Sequence, residues 1–308
     1  MLEVNTLPST PHLLRLGVVL ALFSYWLWAA TGLHAADEPD YSIARNVVYA
    51  QRGERPMKAD VYVPGGSGRF PAVLVVHGGA WAVGHKTDLQ HVGRGLAEHG
   101  FTAVLISYRL APKHKFPAQL EDCLAAIRWM RASAHRYKID AARIGGYGYS
   151  AGGHLMALVG TTADAAEADR TQLKGGYLKD ALQAVVVGGG PCDFRAIADD
   201  DAMLRYWLNA TRAANPAVYE QASPARFVSA NDPPMFFFHG AADKLVPVAG
   251  VEAMAKKLKH VGVPAELHIL SGQGHLRAMF DESALAESIA FLDRHLKEST
   301  GQRTAPTN

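Results

Sequence analysis

The sequence predicts one α/β domain with a mostly parallel central sheet flanked by helices, entered through an antiparallel N-terminal hairpin. Three observations predict it. Continuous apolar runs of strand length recur at residues 72–76, 102–107, 183–187 and 234–239, as expected of parallel strands covered on both faces. Stretches with helical spacing lie between several of them, for instance Leu120, Leu124, Ile127 and Met130 on one face. Near the start, Val47-Val48-Tyr49 and Ala59-Asp60-Val61-Tyr62-Val63 alternate with period two on either side of a polar turn. The 308 residues show no repeat, no long linker and no break in composition, so residues 41–298 are expected to fold as one domain.

The chain opens on a different note. Residues 16–30 are uncharged and apolar, preceded by His12 and Arg15 and followed by Leu33-His34-Ala35-Ala36. A run of about 15 residues is short for a membrane span and suits the apolar region of a secretory signal. Residues 1–36 are therefore expected to be a cleaved signal peptide, with export to the periplasm or beyond. A membrane anchor through residues 16–30 and a buried helix are the alternatives. No cysteine follows the run, which argues against a lipoprotein. Export would permit a disulfide between the two cysteines, Cys123 and Cys192. Cys123 lies on the apolar stripe of a predicted helix, and both thiols are read as buried small hydrophobes, a bridge being the alternative.

From Tyr41 the elements follow in order. After the hairpin, Pro64-Gly65-Gly66-Ser67-Gly68 is a loop, and the strand at 72–76 ends in His77-Gly78-Gly79-Ala80-Trp81. The strand at 102–107 ends in Tyr108-Arg109-Leu110-Ala111-Pro112, and Pro117 opens a helix. Its Glu121 and Asp122 lie in the first turns and Arg128 and Arg131 near the end, matching the helix dipole. Ala142-Ile144 reads as a short strand entering a glycine-rich turn, and residues 161–179 as a polar surface insertion. Residues 195–226 hold short helical pieces with Tyr206 and Trp207, either a small lid or a plain connection. Val248, Val251, Ala255, Leu258 and Val261 mark a helix face before a last strand at 266–270. Leu285, Ile289, Leu292 and Leu296 mark the closing helix, and residues 299–308 read as a flexible tail.

Composition excludes more than it assigns. A net charge of +2 without basic runs leaves no electrostatic footprint for nucleic acid. Fourteen histidines invite a metal, but none falls in H-E-x-x-H or near a C-x-x-C pair, so neither metal nor cofactor is expected.

The stretch that carries chemistry is Gly148-Tyr149-Ser150-Ala151-Gly152, which fits G-x-S-x-G, a serine on a tight strand-to-helix turn. The same stretch, from Gly146 to Ala151, also fits the dinucleotide turn G-x-G-x-x-A. That reading needs an acidic residue ending the next strand about 20 positions on, and there the chain is polar and strandless. A serine nucleophile needs a base, and the base an orienting carboxylate; in the hydrolase order they follow as acid, then histidine. Asp243 directly follows a buried strand, whereas Asp193 reads as a turn residue. His275, in a glycine-flanked loop after the last strand, is free to swing toward the serine. His239 precedes Asp243 and is in the wrong order, and His154 reads as a helix-packing residue. The oxyanion is expected to meet the N–H groups of Gly78, Gly79 and Ala151, the last at a helix start. Trp81 and Tyr149 would line the pocket, or belong to the core.

With these residues in place, the chain resembles the α/β-hydrolase fold esterases, nearest to the hormone-sensitive-lipase-like and the bacterial acetyl-esterase and carbohydrate-esterase branches. His77-Gly78-Gly79-Ala80-Trp81 is similar to the H-G-G-G-W segment of that family. Tyr108-Arg109-Leu110-Ala111-Pro112 with Phe116-Pro117 and Glu121-Asp122 resembles its Y-R-L-A-P…F-P…E-D block, and Ser150-Ala151-Gly152-Gly153 its S-A-G-G elbow. The resemblance implies a serine hydrolase of short-chain carboxylic esters, with a small-molecule ester as substrate. Three departures stand out: Tyr149 where lipase-like members usually carry Asp, Ala80 for a third glycine, and the segment His239-Gly240-Ala241-Ala242-Asp243-Lys244-Leu245-Val246-Pro247, which looks more like the carbohydrate-esterase branch. The long N-terminal cap helices of many lipase-like members are also missing. The same H-G-G-x-W pattern occurs in arylformamidase-like amide hydrolases, and a silent hydrolase-fold scaffold is the alternative outside enzymes.

Overall fold

A computed structural model describes residues 40–163, 181–197 and 201–297. The apolar run at 16–30, most of the insertion read at 161–179, and the tail at 299–308 lie outside the described residues.

Eight strands form one sheet in the order β1-β2-β4-β3-β5-β6-β7-β8. They are β1 (Tyr41–Arg52), β2 (Arg55–Pro64), β3 (Phe70–Val76), β4 (Thr102–Ile106), β5 (Ile139–Tyr149), β6 (Val185–Gly188), β7 (Met235–Gly240) and β8 (Ala265–Leu270). β1 pairs antiparallel with β2, and β2 with β4. Every pairing from β4 through β8 is parallel. The helices among the described residues are α1 (Gln90–Glu98), α2 (Ala118–Ala132), α3 (Ala151–Thr162), α4 (Ala202–Leu208), α5 (Pro216–Gln221), α6 (Ala249–His260), α7 (His275–Ala278) and α8 (Glu282–Leu296).

Burial on both faces is why the central strands show no alternation. In β3, Leu74 and Val76 pack with α2, α3 and α6 through Leu120, Leu124, Leu155 and Met254. Val73 and Val75 meet the other layer, Val92 and Leu96 of α1 and Phe291 and Leu292 of α8. Each fully buried aliphatic of this kind contributes about 1.5–3 kcal/mol. The hairpin sits at the sheet edge, where β1 is kinked by register shifts near Asn46, a residue with φ of 57°. Such bulges discourage edge-to-edge pairing with another chain.

Two local expectations change. The strand before Ser150 begins at Ile139 rather than Ala142, because it already pairs with β3 at Phe70, ahead of the stretch Ile144–Gly148 that pairs with Ala72–Val76. Thr161 and Thr162 belong to α3 and are buried; their hydroxyls donate to the carbonyls of Ala157 and Leu158 at 3.1 and 2.6 Å, which lets polar residues end a buried helix. Both cysteines are buried and free, as small hydrophobes rather than a bridge. Burial pushes the Cys192 thiol up to about 12, and the nearby Asp193 adds to the rise. No helix of the described residues is long and apolar enough to cross a membrane.

Candidate active site

In a parallel sheet the groups that do chemistry collect beyond the carboxyl ends of the strands. Here β5 ends at Ser150, β7 leads to Asp243, β8 to His275, and β3 to Gly78 and Gly79. Ser150 has φ 55° and ψ −121°, a conformation L-residues avoid, which costs on the order of 1–3 kcal/mol. Its surroundings hold it there. The Ser150 N–H donates to Gly188 O at 2.7 Å, and its carbonyl accepts from the His154 N–H at 2.9 Å. Strand and helix cross so closely that a Cβ on Gly148 would lie 2.1 Å from Gly152 O, and one on Gly152 2.0 Å from Val76 O. Only glycine allows that turn.

The serine Oγ lies 2.9 Å from His275 Nε2, and His275 Nδ1 lies 2.6 Å from Asp243 Oδ2. The carboxylate is shielded from solvent, and its Oδ1 accepts the N–H groups of Leu245 and Val246, each at 2.9 Å. Burial by itself would raise the Asp243 carboxyl. The Val246 N–H, the His275 ring and the Leu245 N–H outweigh it and hold the group below the ordinary carboxylate range. His275 differs from its expected setting. It opens the four-residue helix α7 instead of sitting in a free loop, is 9% exposed, and its carbonyl accepts the Tyr149 hydroxyl. A helix this short leaves no periodicity in the sequence to reveal it.

The segment after β3 is wound tightly: Gly79, Ala80 and Trp81 have φ of 101°, 51° and 59°. Gly79 O accepts the N–H groups of Ala82 and Val83, and Trp81 O accepts that of Ala111 at 2.9 Å. Ala80 thus adopts the left-handed conformation that a third glycine would take at less cost. Gly78 lies against the serine turn; a Cβ there would come within 3.0 Å of Tyr149 O and 3.1 Å of Ser150 Cβ. Ala151 begins α3, so its N–H has no acceptor within that helix.

Several supporting residues carried no assigned role in the sequence. Tyr108 donates its hydroxyl to the carbonyls of His77 and Gly78 at 3.2 Å, and its ring stacks on His77 at 4.3 Å. His77 Nδ1 also meets Gly78 O at 2.7 Å, and burial pushes this histidine down, partly offset by that carbonyl. The Arg109 guanidinium and N–H both reach the buried Asp122, which also takes Arg52 Nε at 2.8 Å. The Y-R and E-D pairs are the signal; their contact across 13 positions is what the sequence leaves unread.

Of the two aromatics placed at the pocket, Tyr149 lines the cavity beside Ser150 and ties the serine turn to the histidine. Trp81 does two things. It borders the cavity, yet it is buried and stacked on Trp207 at 3.9 Å, with its Nε1 donating to His154 Nδ1 at 3.2 Å. His154 is the packing residue expected. It bridges to Ala222 O at 2.7 Å, and burial pushes it down to about 4 despite that carbonyl. The cavity over Ser150 measures about 480 Å³ and is mostly apolar, with Phe194 and, from the 195–226 segment, Ile197, Met203 and Leu204 among its lining. That segment therefore borders the site and is more than a connection. Asp193 pairs with Arg195 at 2.5 Å, as a turn residue does. Among the described residues no group of three His, Cys, Asp or Glu side chains is placed to hold a metal ion.

A parallel sheet of this order with a serine on the turn after β5 defines the α/β-hydrolase fold. Residues 59–258 match the family described as BD-FAE, and the chain belongs to it. The probable carboxylic ester hydrolase LipM of Mycobacterium tuberculosis is 32% identical over 78% of this chain and 59% of its own length. The chain spans about half the length of further curated relatives from the same organism, the esterases LipC and LipQ. Among solved structures, a truncated carbohydrate esterase from gut microbiota aligns with a TM-score of 0.75 at 27% identity, covering 84% of this chain and 98% of that one. The butyrate-bound esterase Est2 of Thermogutta terrifontis aligns at 0.68 and 26%, covering 88% and 97%. The resemblance read from the motifs is borne out at the level of family and fold.

Proposed function

We propose that this chain is a cofactor-free serine hydrolase that cleaves short-chain carboxylic esters through an acyl-serine. The observation that carries the reading is the continuous line from Ser150 Oγ to His275 Nε2 and from His275 Nδ1 to Asp243, at 2.9 and 2.6 Å. In the first half-reaction Ser150 Oγ bonds to the ester carbonyl carbon while His275 Nε2 takes the hydroxyl proton. The oxyanion is met by the N–H groups of Gly78, Gly79 and Ala151, worth about 100- to 1000-fold per donor. Collapse breaks the bond to the alcohol oxygen, which leaves with the proton from His275. A water then repeats the steps, its proton passing to His275, and the acid departs as Ser150 is regenerated. Asp243 stays ionised throughout and stabilises the imidazolium.

The likeness to LipM, a probable carboxylic ester hydrolase, and to the two esterase structures supports an ester as substrate, and the apolar cavity supports an uncharged one. The apolar run at 16–30 supports export, by a cleaved signal or as an anchor, which the N-terminal residue of the mature protein distinguishes.

The test compares full-length wild type with Ser150→Ala on p-nitrophenyl esters from acetate to decanoate, with fluorophosphonate labelling alongside. Loss of both turnover and label in the variant is expected. A folded wild type that takes no label and cleaves no ester sinks the reading and favours a scaffold. Label without ester turnover points to an amide.

A further inference from the structure

The carboxylate that orients His275 is held by a second histidine. His239, near the end of β7, is fully buried. Its Nε2 lies 2.8 Å from Val246 O and 3.1 Å from Asp243 Oδ2, the same oxygen that receives His275 Nδ1 at 2.6 Å. Val246 O accepts from Nε2, so that nitrogen carries the ring hydrogen, and Asp243 Oδ2 lies beside it at ion-pair distance. Nδ1 is buried and has no hydrogen-bond partner among the described residues. A histidine whose one bonded nitrogen is turned on the catalytic carboxylate, at the cost of leaving the other bare, is more than filler; leucine or phenylalanine would fill the space without an orphaned buried atom.

From this we infer that His239 is a positioning residue for the reaction, holding Asp243 Oδ2 and the loop that carries it in the geometry His275 requires. The role rests on the ester-hydrolase reading above. The Leu245 and Val246 N–H groups occupy Oδ1, and Asp243 N–H donates to Gly240 O at 3.1 Å. The His239 ring supplies what these backbone bonds do not: it stands 3.1 Å from Oδ2 and, by donating to Val246 O, closes the turn 239–246 around the carboxylate. Without it the turn loosens, the carboxylate plane is held from the Oδ1 side alone, and the imidazole is aimed less firmly at Ser150. His239 is not itself a lining residue of the cavity and meets that lining only through the Val246 carbonyl, so it acts through Asp243 and the turn that carries it.

The experiment measures kcat per serine titrated with fluorophosphonate, together with KM, in full-length His239→Phe and His239→Gln. Glutamine places an amide donor near the Nε2 position, and phenylalanine fills the volume without one. His239→Phe is expected to lower kcat per titrated serine about 10- to 100-fold with KM unchanged, below the roughly 10⁴-fold that losing the orienting acid costs. His239→Gln should recover most of it. A purely structural role would lower only the fraction of titratable protein. Should His239→Phe fail to fold, His239→Asn replaces it, since its shorter amide falls short of Oδ2. In an Asp243→Asn background the His239 substitution should add nothing, because one acts through the other. Full kcat per titrated serine in the phenylalanine or asparagine variant, or losses that multiply in the Asp243→Asn background, overturns the assignment. A wild type that neither labels nor hydrolyses fails at the earlier reading, a distinct result.

Discussion

At Asp243 a single carboxylate does two jobs, and they are separable. Oδ1 organises its own loop through backbone donors, while Oδ2 faces the imidazole. Asp243→Asn keeps the size and the acceptor on one side but presents an amide where a carboxylate should be. The expected outcome is a fall in kcat of about 10⁴-fold with a near-normal melting temperature, checked by steady-state kinetics beside thermal unfolding. The side chains proposed for the chemistry were legible in advance because that chemistry would constrain them: order along the chain and position after a buried strand point to Ser150, Asp243 and His275, which the fold brings together. Their supports were not. Tyr149 meets the His275 carbonyl across 126 positions, and a tyrosine hydroxyl announces no partner. His239 was set aside for coming before the acid, although that placement is what brings its ring to the carboxylate.

Among elements, the long runs were readable and the short ones were not. β3, β4 and β7 are almost wholly apolar, Thr102 and His239 apart, because both faces are covered, a pattern that survives without knowing the partners. α4, α5 and α7 span 7, 6 and 4 residues, too few turns for a period to emerge. α2 joins two sites that the sequence shows only as a charged pair in a first turn. Asp122 is wholly buried and receives Arg109 and Arg52, so it fixes the segment at 108–111 whose Tyr108 braces Gly78. Asp122→Ala removes the buried acceptor shared by Arg109 and Arg52, leaving Arg109 to Glu121 and the Ala118 carbonyl, and should destabilise the fold by about 1–3 kcal/mol. Urea unfolding measures the loss, and in the fraction that remains folded kcat should fall as the Gly78 turn loosens.

For the molecule as a whole, acid stability turns on a histidine away from the chemistry. His154 is buried and held down to about 4, against 6.5 in an unfolded chain. Between these values the unfolded state binds a proton that the folded state refuses, so stability falls as pH drops from 6.5 toward 4. The gap corresponds to about 3 kcal/mol. Melting temperature should decline over that window, and His154→Gln, which can still accept from Trp81 and donate to Ala222 O, should flatten the decline. An unchanged slope in the variant assigns the acid loss elsewhere.

The indole rings of Trp81 and Trp207 lie 3.9 Å apart and nearly parallel, at 6°. One belongs to the turn beside the serine and the other to α4 in the segment that walls the cavity. Indoles stacked at that distance are expected to couple their strong ultraviolet transitions, so circular dichroism of this protein should carry a paired signal from beside the cavity. Displacement of α4 on ligand entry would register as a change in that couplet, giving an optical readout of the site without any added label.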